Sequence, residues 1–228
     1  MTTTTERPAV TAAAVGMARF KTLGYVMMVI GLAFLVAVVP AGLKIADGYD
    51  SLNAFSEAEG VTLNYNEDGQ LVDRGTTEGA DNIMALLTED WAYPVVESEL
   101  DPDDPIVNTA SEYMFQMATI MYHVLHGTQT VVLEEDVEYN GEIFTAGTYE
   151  VPVDGKYWSD FDRRHPLEGP TRSQAWSGTA HALTATLGVG TVTATSLQLA
   201  TALAALVASL GGVVFILGAG LVWASKES

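Results

Sequence analysis

From Ser173 to Ser225 the chain carries no Asp, Glu, Lys or Arg. No other feature restricts the fold as strongly. Inside that stretch, Leu197–Trp223 reads LQLATALAALVASLGGVVFILGAGLVW, apolar on every side. A helix of a soluble core is rarely apolar all round over such a length, whereas about 20 such residues cross the ~30 Å of bilayer hydrocarbon. A second run obeys the same rule. Lys21 and Lys44 bracket the uncharged Thr22–Leu43, with Pro40 near its far end, where a lost backbone hydrogen bond is less costly than at mid-membrane. The competing reading of this first run is a cleaved signal peptide, with Val39-Pro40-Ala41 as the cleavage site. Signal-peptide cores are about 7–15 residues and this one is longer, which favours an uncleaved anchor.

Charge then sets an orientation. Arg7, Arg19 and Lys21 precede the first run and Lys226 follows the second, so the positive-inside bias places both termini in the cytoplasm, with Lys44 as the dissenting charge. The predicted location is the cell membrane, crossed twice. Of the 29 acidic residues only Glu6 and Glu227 lie outside 46–196, and that segment holds five basic residues: Arg74, Lys156, Arg163, Arg164 and Arg172. The middle is therefore a strongly acidic extracytoplasmic domain within a chain of net charge −19. Such a surface repels nucleic acid. The absence of Cys excludes disulfides, thiol nucleophiles and Cys-ligated metals.

The fold class that follows is a membrane-anchored α+β protein. Two transmembrane helices flank a small extracytoplasmic domain with one main amphipathic helix and a short antiparallel β-meander. The expected divisions are a cytoplasmic tail (1–19), a first span (20–45), the acidic domain (46–176), an uncharged stalk or interfacial segment (177–196), a second span (197–225) and a cytoplasmic end (226–228).

Within the domain, 47–59 reads as a short helix. Val61, Leu63 and Tyr65 alternate with polar residues ahead of the Asp68-Gly69 turn, predicting a hairpin. The same stretch resembles half of a calcium loop, but Gly75 falls where that loop needs a bidentate Glu. Ile83, Met84, Leu86 and Leu87 mark a helix within 77–90. Thr109 and Glu112 form a capping box that opens a helix over 110–126, which Gly127 stops. The period then switches to two, predicting strands at 129–134, 137–139, 142–145 and 148–153, joined by turns at Asn140-Gly141, Ala146-Gly147 and Asp154-Gly155. The uncharged 177–196 reads as a helical stalk broken near Gly188 and Gly190.

Candidate metal ligands are His123 and His126, three apart on one helix, with Met117 and Met121; imidazole and thioether together suit copper. The same Met stripe is also what a helix core looks like, and a terminal His pair suits a helix's negative end without any metal. No cofactor is otherwise expected. Candidate partner-binding residues are Tyr157, Trp158, Phe161, Arg163, Arg164, Arg172 and Trp176, an aromatic and Arg mixture of hot-spot type, together with the small residues Ala204, Ala208 and Gly212. No Asp, Glu, Lys, Arg or His lies in either hydrophobic core, which argues against transport by these helices alone. The expected function is a non-catalytic accessory subunit of a membrane complex, whose partners are other integral membrane subunits and lipid. Its acid surface also suits a basic soluble partner. The alternative is an extracytoplasmic module that binds copper or calcium.

Overall fold

A computed structural model describes residues 12–226 of the chain. Residues 1–11 of the tail expected at 1–19 and the last two residues lie outside this range. The described chain forms two compact units, one from residues up to Asp50 and from Ser196 onward, the other from Ser51–Thr195.

The first unit is a pair of helices. Helix α1 (Ala12–Glu59) runs unbroken through Pro40, and helix α5 (Gly178–Ala224) is the last element of the chain. At 1.5 Å per residue each is about 70 Å long, far beyond what hydrocarbon alone requires. Both are long and apolar enough to cross a membrane, and little of either apolar stretch is buried inside the protein. Val29, Val36, Leu199 and Ile216 all face outward.

The two helices meet through glycine. A Cβ placed on Gly24 would stand 2.6 Å from the Gly218 carbonyl oxygen, and one on Gly31 would stand 2.6 Å from the Gly211 oxygen. The reciprocal contacts are as tight: 2.5 Å from Gly218 to the Gly24 oxygen and 2.9 Å from Gly211 to the Gly31 oxygen. The pairing is antiparallel, and on each helix the contacting glycines are one heptad apart, the repeat that keeps two helices in register. These glycines are not the small residues expected to meet a partner. Ala204 and Ala208 are half-buried, and Ala204 lines an apolar groove of about 470 Å³ beside Ala37, Val38 and Ala41. Gly212 lies off the contact face, with nothing within 4 Å of where its Cβ would be.

The second unit is mixed α+β. Residues 47–59 are not a separate helix but the end of α1. The 61–72 segment is the predicted hairpin, bridged at Tyr65 and Leu71; the Asn66 carboxamide oxygen accepts from the Asp68 and Gln70 amides and so serves the turn. Helix α2 (Thr77–Ala85) is capped by Thr76 and continues into one wide turn at Leu86–Asp90. Helix α3 (Ala110–Leu125) starts from the predicted capping box. Glu112 is fully buried there, and its Oε2 accepts from the Asn108 amide (3.0 Å), the Thr109 amide (2.9 Å) and the Thr109 hydroxyl (2.8 Å). Burial raises its pKa, and those three bonds oppose the rise.

The strands fall within one residue or so of their expected positions, at β1 (Thr128–Leu133), β2 (Val137–Tyr139), β3 (Glu142–Phe144) and β4 (Gly147–Pro152). Their pairing corrects the meander. β1 pairs with β4 and β2 with β3, both antiparallel, in two separate two-stranded sheets. The hairpin closed by Asn140-Gly141 is thus nested inside the longer β1–β4 hairpin. Helix α4 (Glu168–Ala175) lies against β1. One core cluster joins Leu86, Leu125, Val153, Phe161, Ala175 and Trp176.

Residues 178–195 are continuous helix, which corrects the predicted break. Gly190 is there for closeness: a Cβ on it would strike the Tyr113 ring. Tyr113 is buried, and its hydroxyl bonds the Ser56 hydroxyl at 2.7 Å. Leu187, Gly190 and Ala194, spaced three and four, form the buried side of this segment.

Candidate functional site

The last turn of α3 and the turn that enters α2 face each other across a cleft of about 270 Å³. It is lined by Asp73, Arg74, Thr76, Tyr122, His123, His126 and Gly127. The turn is tight: Asp73 and Thr76 exchange both backbone hydrogen bonds, at 2.9 and 3.0 Å. Its central residues, Arg74 and Gly75, have φ of 48° and 81°, the type I′ pattern. Thr76 then accepts from the Gly79 amide, so turn and helix start are one piece.

Both imidazoles are fixed by hydrogen bonds. His123 Nε2 lies 3.0 Å from Asp73 Oδ1, both side chains being mostly buried. An ionised carboxylate only accepts, so Nε2 carries the proton. His126 Nδ1 lies 2.9 Å from the Tyr122 carbonyl oxygen, which likewise makes Nδ1 the donor. The Tyr122 ring leans over the His126 ring at a centroid distance of 4.2 Å.

The expected copper ligands do not converge. His123 and His126 share the cleft, but Met117 and Met121 do not line it. Met121 packs on the core cluster instead. The reason is angular: at about 100° per residue, Met121 and His123 point from nearly opposite sides of the helix. Among the described residues no three His, Cys, Asp or Glu are grouped to hold a metal ion. His165 and His181 are engaged elsewhere. His165 Nδ1 accepts from the Leu167 and Glu168 amides, and His181 meets the rings of Trp158 and Trp176.

The aromatic and Arg segment divides into a core and a surface. Phe161, Arg172 and Trp176 are buried within the unit. Arg172 lies over the Trp158 ring, 3.2 Å from its centroid, and its Nε donates to the Trp158 carbonyl. Trp176 stacks on Tyr157 and donates from Nε1 to the Lys156 carbonyl, while Trp91 Nε1 donates to the Tyr157 hydroxyl. Tyr157, Trp158, Arg163 and Arg164 remain exposed. Nearby acids serve the fold. Asp162 accepts from the Tyr139 hydroxyl, which holds its carboxyl below the usual range, and Glu168 is held low by Lys156 at 2.8 Å.

Comparison with known proteins finds no matching family model, no matching curated protein and no matching solved structure. The chain therefore stands on its own chemistry: two helices apolar and long enough to cross a membrane, and a small mixed α+β unit.

Sequence reasoning missed Asp73 and Arg74. Asp73 meets His123 from 50 positions away, and nothing local announces the contact. Arg74 did leave a signal, since it precedes a turn glycine where Asn140 and Asp154 stand in the other two such turns.

Proposed function

We propose that the protein is a non-catalytic accessory subunit of a larger membrane complex, with the apolar runs of α1 (22–43) and α5 (197–223) in the bilayer and residues 51–195 on the extracytoplasmic side. The positions of Arg7, Arg19, Lys21 and Lys226 support that orientation.

One observation carries the reading. Gly48 lies against Leu197, so the level of Asp47 and Asp50 on α1 marks where the apolar run of α5 begins. Residues 178–196 precede that level, yet they are uncharged in a chain with 29 acids. Their outer face presents Leu183 at 47%, Val189 at 68% and Val192 at 67% exposure. An apolar face this exposed among the described residues is what a partner subunit covers. Tyr157, Trp158, Arg163 and Arg164 supply a second exposed patch of interface composition.

The test is a Val189→Glu/Val192→Glu variant, purified in mild detergent beside the unaltered protein. The unaltered protein should carry other polypeptides in fixed ratio. The variant should lose them while its domain unfolds at an unchanged temperature. A monodisperse unaltered protein containing only its own 24.3 kDa polypeptide would refute the proposal.

A further inference from the structure

The cleft between the Asp73–Thr76 turn and the end of α3 carries an inference independent of any membrane partner. We propose that it binds a small oxyanion, a phosphate or a carboxylate, through the Arg74 guanidinium and the His126 imidazole.

Arg74 is the first reason. Type I′ turns favour Asn, Asp or Gly at the first central position, because φ is positive there. This protein follows that preference twice, with Asn140 (φ 54°) before Gly141 and Asp154 (φ 54°) before Gly155. At the third such turn it places Arg, at φ 48°. A long side chain held against the preference of its backbone marks a position kept for something other than folding. No hydrogen bond or ion pair engages the Arg74 side chain among the described residues, although the chain has 29 acids to offer it.

The second reason is that the cleft's other charges are already satisfied. The Asp73 carboxylate is occupied by His123, so it opposes an incoming anion less than a free carboxylate would. The carbonyl end of a helix repels anions, but three of the last four carbonyls of α3 are taken. The His126 amide reaches the Tyr122 and Val124 oxygens, His126 Nδ1 reaches Tyr122 again, and the Gly155 amide takes Leu125. What remains for a ligand is the planar Arg74 fork, suited to bidentate oxygen pairs, with the outer His126 nitrogen bordering the same space. The geometry disfavours a cation, since Arg74 lines the same space and Asp73 is spent on His123.

The experiment is titration calorimetry of the full chain in detergent micelles, at ionic strength fixed with chloride. Inorganic phosphate and succinate are used in separate arms, and Arg74→Asn serves as the variant. Asn suits the turn better than Arg, so the variant should unfold at an equal or higher temperature. It should nevertheless bind at least ~10-fold more weakly, as expected for the loss of a charge-assisted pair. Saturable binding in either arm with that response supports the proposal, and the responding arm identifies the group recognised. No saturable heat up to about 10 mM in both arms would overturn it, as would undiminished binding by Arg74→Asn. So would stoichiometric zinc uptake that needs His123 and His126 and ignores Arg74.

Discussion

Gly218→Leu should destabilise the pairing of α1 with α5 by about 2–4 kcal/mol, while Gly212→Leu, six residues away, should cost less than about 0.5 kcal/mol. Even the first carbon of a side chain at 218 would stand 2.5 Å from the Gly24 oxygen, 2.8 Å from the Met28 nitrogen and 3.0 Å from the Met27 Cβ. Two of these neighbours are backbone and cannot swing aside. Overpacking a close contact typically costs 1–3 kcal/mol, and here whole helices must move apart. The separation also forfeits the matching contact at Gly31 and Gly211. Gly212 meets nothing within 4 Å, so its leucine extends outward. Equilibrium unfolding in mixed micelles, followed by helical circular dichroism, measures both variants. Equal losses would mean that the contact runs along the Ala204, Ala208, Gly212 stripe rather than the heptad glycines.

Trp176→Ala should cost about 3–5 kcal/mol in the isolated protein, the usual range for emptying a buried Trp site. Its ring fills the cluster with Leu86, Leu125, Val153, Phe161 and Ala175, and stacks on Tyr157. Its removal also strips the Lys156 carbonyl of the Nε1 donor at 3.2 Å. For a chain of this size each kcal/mol shifts the midpoint by roughly 2–4 °C, so a fall on the order of 10 °C is expected. The near-ultraviolet dichroism of the domain reads this without any partner present. A loss under about 1 kcal/mol would mean that Trp176 serves a partner rather than its own core.

Local chemistry was the legible part of the sequence. Thr109 and Glu112 are three apart, so their capping box is written in the chain itself, and Asn140-Gly141 fixes a turn without reference to anything distant. Pairing was not legible. Alternation locates β1 and β4, but it says only which face each residue takes, not which strand lies beside it. The nested order appears only when the β2–β3 hairpin closes on itself and lets Val131 register with Tyr149. Gly188 and Gly190 look alike in sequence. Only the Tyr113 ring distinguishes them, since Gly188 meets nothing. At the site, helical spacing is consistent with His123 and His126 lining one cleft. It failed for the Met pair because sharing a helix is not sharing a face, and it could not foresee Asp73 across the cleft.

The central claim is that two apolar helices hold the acidic unit on the far side of a membrane from the C-terminus. The chain has no Cys, so single cysteines report topology cleanly. Ser159→Cys and Ser225→Cys variants would be treated with a membrane-impermeant maleimide in intact cells and again after permeabilisation. Ser159→Cys should label in both conditions and Ser225→Cys only after permeabilisation, with both proteins staying in the membrane pellet. Equal labelling of the two variants in intact cells, or release of either into the soluble fraction, would contradict the account.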